Sequence, residues 1–503
     1  MWWLTREHFP VPVSGLFAEL FPPSTVGWVR GARRYGLPIP SPRFAAVNSW
    51  FYYSSGSDDS SRLDEQERVA AHTLDTAAWR DEVARWFDDE RPPIVTTNLA
   101  LQAEQLESLS DADLADHIRR AVAHFLAVSP LHFEHAGFDI AGGRLFHAAG
   151  EWGIPAERVA ALLAGASPAS AAVQDHIDRI ADALTAAPET IDDLRASAQA
   201  SQALDDYLRL HGWRVIDGND LAGPTVGERP ELIVAAVRAR MTRPASTATA
   251  DVASIRAMVP EEGRSRFDEL LADARATYAL RDDDNAICFV WPLGLIRRGV
   301  LEAGRRLAEG GRAAAANDLF EATTIEIDNL LSGSGPAAEV LAARGKARRA
   351  AAHLDPPMQL GEYVPPPSVE LPPHMADLVT AQGAYHAASG NRSAGPMAGL
   401  GIGDATARGP ARLLDHTIDA IERVEPGDVL IAVTTTCNLN SIFPLLAAVA
   451  TEEGGLFSHT ALLARELGIP AVVGAPGLLS TISDGDIVEV DPVAGVVRVI
   501  DRG

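Results

Sequence analysis

Apolar residues recur at three- and four-residue spacing through much of the first 350 positions of this chain. Asp111–Ala127, Pro155–Ala164, Ala171–Ala187 and Glu231–Met241 each gather their apolar side chains on one face, which predicts amphipathic helices. Asp111 and Ser167 stand where a capping residue belongs, and Pro155 suits a first helical turn. Gly294–Ala308 (GLIRRGVLEAGRRLA) is a further amphipathic segment with arginines in adjacent pairs. Strand signals are few here; His8–Ser14 reads as extended chain leading into the first helix, and Trp50, Phe51, Tyr52 and Tyr53 as aromatics of which most are expected in a core cluster, with the lining of an apolar pocket as the alternative.

The prolines of Leu354–Pro373 favour a stiff spacer, and a Gly/Ser/Ala patch over His386–Gly403 extends it. Beyond about Gly399 the pattern changes to α/β. Val429–Val433 reads as a short strand after Pro426-Gly427-Asp428, Ile442–Ala450 as a buried helix, and Ser458–Leu467 as a helix closed by Gly468. Ala471–Gly474 reads as a strand, and Asp486–Asp491 with Gly495–Ile500 as a hairpin-like pair around Pro492-Val493-Ala494. The expected organisation is a mainly α-helical domain over 1–353, a Pro/Gly-rich linker over 354–394 and an α/β domain over 395–503.

Charge narrows the function. Among 503 residues, 43 Lys+Arg against 68 Asp+Glu leave a net charge of −25. That balance repels phosphate backbones and anionic membranes, so neither nucleic acid nor membrane is an expected partner. Two cysteines, Cys288 and Cys437, exclude a disulfide framework and a cysteine-based zinc site, and no metal ligand set is expected. The start of the chain lacks a signal-peptide pattern and the apolar runs are short, so a cytoplasmic location is expected. Lys346 is the only lysine, and no G-x-x-x-x-G-K-[ST] phosphate loop occurs.

The stretch richest in chemistry is Thr451–Gly474, TEEGGLFSHTALLARELGIPAVVG. Gly454-Gly455 allows a tight turn, Ser458 is a good N-cap, and His459 falls at the first helical position. The positive end of the helix dipole disfavours an imidazolium there, and the free backbone N–H groups favour an anion. A neutral imidazole of this kind suits covalent catalysis in which it accepts and passes on a phosphoryl group.

This string resembles the signature around the phosphorylated histidine of the phosphoenolpyruvate-utilising enzymes, a group that includes phosphoenolpyruvate synthase, pyruvate phosphate dikinase and the rifampin phosphotransferases. The resemblance continues through Pro426–Leu430, Phe443-Pro444-Leu445, Asp484-Gly485-Asp486 and Val488–Asp491. It implies that 395–503 is a swivelling β/β/α domain with His459 as the phosphorylated residue and Thr451, Gly454, Gly455 and Ser458 as its loop neighbours. Arg465 and Glu466 match an A-R-E element, where salt bridging within the helix is expected. The loop Thr434–Asn440 departs from relatives that carry a proline and an acidic residue there. A weaker resemblance covers 1–350. His211-Gly212-Trp213-Arg214, Asp217, Asp220 and Glu228-Arg229-Pro230, with Arg281–Leu307, are similar to the central domain of rifampin phosphotransferase-like proteins. There the helical fold binds a hydroxyl-bearing acceptor. His211 and Asp220 are candidates for acid–base work, and Arg281, Arg297 and Arg298 for phosphate; hydrogen-bonded structural roles are the competing expectation.

The resemblance implies a phosphotransferase subunit of dikinase type. Its phosphohistidine would be charged by a separate ATP-grasp subunit (ATP to AMP and phosphate) and would deliver to a small alcohol or phenol, an arrangement comparable to phenylphosphate synthase. Neither an ATP-grasp module nor a phosphoenolpyruvate barrel is expected in the chain. Mg2+ would accompany the nucleotide on the partner, with no tightly bound cofactor here. A non-catalytic phosphocarrier or scaffold, and a phosphoenolpyruvate-dependent transferase, are the alternatives.

Overall fold

The computed structural model describes all residues except 7, 39–40, 57–61, 217–219, 243–251, 364–369, 391–394, 415–422, 436–438 and 440–441. Asp217, Pro365-Pro366-Pro367 and Cys437 therefore lie outside the described residues. The chain forms two compact units. The first takes residues 1–137, 219–223 and 284–379, the second 138–218, 224–283 and 380–503. Each draws on residues from both sides of the 354–373 prolines.

In the first unit, a four-stranded antiparallel sheet accompanies the helices. Its strands are β1 (Trp2–Leu4), β2 (Pro42–Val47), β3 (Trp50–Ser55) and β4 (Gln359–Leu360), in the order β2-β3-β1-β4. The proline-rich stretch is thus more than a spacer, because Gln359 and Leu360 pair with Trp3 and Trp2. Leu4, Trp50 and Tyr52 cluster in the core, as expected of Trp50–Tyr52, whereas Tyr53 is exposed. The longest helix is Asp111–Glu134. Its N-cap is Ser110 rather than Asp111, because the Ser110 hydroxyl accepts from the backbone N–H of Asp113 at 3.2 Å, while Asp111 lies inside the first turn.

The second unit holds a seven-stranded mixed sheet. Its strands are β5 (Leu400–Ile402), β6 (Ala407–Leu414), β7 (Val429–Ala432), β8 (Ala448–Thr451), β9 (Ala471–Val473), β10 (Ile487–Asp491) and β11 (Val496–Asp501), in the order β11-β10-β6-β7-β8-β9-β5. β6 to β9 run parallel, and β5, β10 and β11 are antiparallel additions. The expected helix at Ile442–Ala450 is instead a single 3-10 turn, Phe443–Leu445, followed by β8. All four β8 residues are buried, and a strand covered on both faces reads as a continuous apolar run that periodicity cannot tell from a buried helix. Helices Pro168–Asp182, Ala198–His211 and Pro230–Thr242 share one apolar cluster with β7, β8 and the helix His459–Leu467. Among the described residues no helix is long and apolar enough to cross a membrane.

Candidate active site

His459 stands where β8 hands over to the helix His459–Leu467. Gly454 has φ +122°, and a Cβ there would sit 2.9 Å from the Ser458 side chain, so the turn requires glycine. The Ser458 hydroxyl donates to the Gly455 carbonyl at 2.9 Å and accepts from the Ala461 N–H at 3.3 Å. Thr451 is buried, and its hydroxyl donates to the Glu453 carbonyl at 2.8 Å. Glu452 and Glu453 donate backbone hydrogen bonds to Ala432 and Val433, which extends the β7–β8 pairing up to the histidine loop. Gly454, Gly455 and Ser458 thus form the turn that leads into His459.

Two further anchors fix the loop. Arg465 donates 2.7 Å to the Leu456 carbonyl; the side chain of Glu466, named with it for salt bridging within the helix, lies outside the described residues. Burial pushes the Arg465 pKa down to about 10. Phe457 inserts among Phe146 (4.9 Å between ring centroids), Tyr385 (5.4 Å) and Phe138 (6.0 Å). Arg281 lies over Phe138 and Tyr385, 5.7 Å from each ring, and is ion-paired to Asp139. The structure thus places Arg281 against the same aromatic cluster that seats the histidine loop.

The imidazole environment is built by residues that sequence reasoning did not assign. Nδ1 of His459 lies 3.0 Å from the Thr435 hydroxyl, which is 2.8 Å from the Thr460 hydroxyl, and Phe443 meets the ring edge-on at 5.7 Å. Burial and then the charge of Arg214 push the His459 pKa down to about 3. The ring is neutral at pH 7, as the helix position alone already favours. Thr435 lies beyond β7, and only the fold turns it toward His459.

Arg214 follows His211, which ends the helix Ala198–His211. His211 is buried, among the described residues both ring nitrogens lack a hydrogen-bond partner, and His176 and Tyr207 lie 5.2 and 5.3 Å from its ring. Burial, Arg214 and His176 push the His211 pKa down to about 2, so it is a neutral imidazole across the physiological range. Arg214 is buried, its Nε lacks a partner among the described residues, and its guanidinium lies 5.6 Å from the Trp213 ring centroid.

The remaining candidates belong to the first unit. Asp220 accepts from the Ser14 hydroxyl at 2.7 Å, from the Ser14 N–H and from the Ala222 N–H, tying its loop to the first helix. Arg297 donates to the carbonyls of Leu221 and Ala222 at 3.0 and 2.9 Å and lies over Phe320. Arg298 donates to the carbonyls of Gln102 and Glu104. Among the described residues, no group of three or more His, Cys, Asp or Glu side chains is set to hold a metal.

Two predictions follow from the ring's surroundings. The His459 Cε1–H resonance stays constant between pH 8 and pH 5, where an unperturbed imidazole titrates near 6.5; a midpoint above pH 5.5 contradicts the neutral ring. Thr435→Val slows phosphoryl uptake at His459 by roughly 2- to 12-fold, the equivalent of one hydrogen bond of about 0.5–1.5 kcal/mol. Thr435→Ser restores it, and an unchanged rate in the valine variant removes Thr435 from the site.

Residues 424–495 match the family described as PEP-utilising enzyme, mobile domain, and residues 131–300 match the rifampicin phosphotransferase fourth domain. An uncharacterised protein of Mycobacterium tuberculosis is 27% identical over 431 residues, covering 81% of this chain and 46% of that protein. A rifampicin phosphotransferase of Streptomyces sviceus is 25% identical over 332 residues, 60% of this chain and 35% of its own. A probable phosphoenolpyruvate synthase of Archaeoglobus fulgidus is 37% identical over 101 residues, 20% of this chain and 13% of its own. The chain spans about half the length, or less, of these relatives. With its mainly helical N-terminal region and C-terminal mixed sheet, the chain is similar to a PEP-utilising mobile domain over 424–495 and, over part of its length, to the rifampicin phosphotransferases.

Proposed function

We propose that this chain is a phosphotransferase in which His459 carries a phosphoryl group from a nucleotide-charged donor site to a hydroxyl of a small organic acceptor. The observation that carries this reading is the neutral imidazole at a helix N-terminus with Nδ1 already engaged by Thr435. Engagement of Nδ1 directs phosphoryl transfer to Nε2. A separate ATP-grasp subunit charges His459: the β-phosphoryl group of ATP moves to Nε2 while AMP leaves, and the γ-phosphoryl group is released to water as phosphate. Magnesium belongs in this reading with the nucleotide on that subunit, and no step on this chain is routed through a metal.

Buried Arg214 supplies positive charge near the ring, and arginine matches phosphate oxygens well. Arg281, on the aromatic cluster around Phe457, is the second candidate for phosphate contact. His211, neutral and among the described residues without a hydrogen-bond partner, lies near Arg214.

The test mixes the chain with its ATP-grasp partner and β-labelled ATP. Acid-labile label on the chain that moves to a small alcohol or phenol supports the transferase. Label that stays on the protein with every acceptor offered supports a carrier instead, and charging by phosphoenolpyruvate alone overturns the ATP-dependent scheme.

A further inference from the structure

The first unit holds a second set of titratable groups that the scheme above leaves unused. Asp284, wholly buried, lies 2.9 Å from Nδ1 of His132 through one carboxylate oxygen and 2.6 Å from Nδ1 of His135 through the other. Nε2 of His135 lies 3.1 Å from Glu90. Two π-helical turns build this arrangement: Trp86–Glu90 ends on Glu90, and Asn285–Val290 begins directly after Asp284. Such turns are rare and concentrate at functional sites. The end of helix Asp111–Glu134 is held firmly too. Gly27 and Gly31 of helix Val26–Tyr35 pack so closely that a Cβ on them would lie 1.9 Å from the Pro130 carbonyl and 2.4 Å from that of Glu134.

His132 differs from His135 in facing outward. Its side chain is 23% exposed, and among the described residues only its Nδ1 is hydrogen-bonded. An Nδ1–H donated to Asp284 leaves the lone pair on Nε2, the arrangement that serves a general base. The ring is edge-on to Phe133 at 4.9 Å; Phe133 meets Trp28 at 4.7 Å, and Trp28 stacks on Phe44 at 5.9 Å. Phe133, Trp28 and Phe44 are half-buried, backed by buried Phe21 and Phe289. Half-exposed rings ending at an imidazole suit a ligand that is flat, apolar and protic at one edge.

We propose that His132 is the general base for the acceptor, taking the proton from a phenol or aryl alcohol whose ring lies against Phe133, Trp28 and Phe44, with Asp284 as the positioning residue. The proposal rests on the hydroxyl-acceptor reading above. As the acceptor oxygen bonds to phosphorus, the P–N bond breaks and its electron pair returns to the His459 imidazole. The hydroxyl proton passes to Nε2 of His132.

The test uses 4-nitrophenol and the full, unphosphorylated chain, so it is independent of His459 chemistry and gives the same answer in His459→Ala. Bound nitrophenol, followed by its phenolate absorbance, ionises at least about one pH unit below the free compound because the proton is handed to an adjacent imidazole. His132→Ala, and the bulkier His132→Gln, still bind the probe but lose the shift, while Trp28→Ala weakens binding several-fold. Absence of saturable binding, binding without the shift, or an equal shift in both His132 variants overturns the proposal. A normal shift in a chain whose His459 never takes label leaves His132 standing and refutes the carrier reading instead.

Discussion

His459→Ala chain, incubated with the ATP-grasp partner and β-labelled ATP, takes up no acid-labile label and transfers none to any acceptor, a loss of the whole activity rather than a fraction. A covalent carrier has no substitute once the atom that bonds to phosphorus is removed. The fold survives the change, because His459 is partly exposed at a helix start whose cap, the Ser458 hydroxyl, is untouched. The loop also keeps its anchors, Arg465 on the Leu456 carbonyl and Phe457 among Phe138, Phe146 and Tyr385. Label persisting on another residue at the wild-type level, by mass spectrometry after alkaline handling, would remove His459 from the mechanism.

Asp284→Ala costs about 3–5 kcal/mol of stability, the penalty for leaving a buried charge without its partner. Burial works against the charge on His135, but hydrogen bonds to Asp284 and Glu90 and the charges of Asp284 and Glu82 outweigh it, and its pKa is pushed up to about 10. A raised histidine contributes stability that is complete below its unfolded value near 6.5 and is lost as pH rises through about 10. Glu82 acts in the same sense. Burial raises its carboxyl to about 7, against the pull of the His135 charge and of the hydrogen bond from the Gly137 N–H, so its contribution is lost as pH rises through 7. His459 and His211 have the opposite sign: their depressed values contribute stability above about 6.5 that is lost as pH falls. Urea unfolding of the wild type and Asp284→Ala at pH 6.5 measures the loss, and a difference under 1 kcal/mol refutes the buried pair. His135→Gln flattens the alkaline limb of the stability profile.

The histidine loop was readable before the fold because its requirements are local. A glycine for a left-handed turn, a serine cap, a histidine one residue later and a glycine stop at Gly468 each depend on neighbours within ten positions. The helices of the first 350 residues were readable for the same reason. Strand β8 was misread because a central parallel strand hides its period. Thr435 and the His132–Asp284 pair left no such mark, since a threonine or a histidine looks alike whether it is solvated or aimed at a partner 24 or 152 positions away.

From its order of residues alone this chain determines an imidazole at a capped helix start on an α/β segment and a largely helical remainder, because capping, turn geometry and amphipathic period are short-range effects. Tertiary structure alone decides which hydroxyl orients that imidazole, which cation lies near it, and which histidine is buried as a cation while its neighbour faces outward. Those outcomes depend on burial and on charges brought together from distant parts of the chain, and neither quantity exists until the chain has folded.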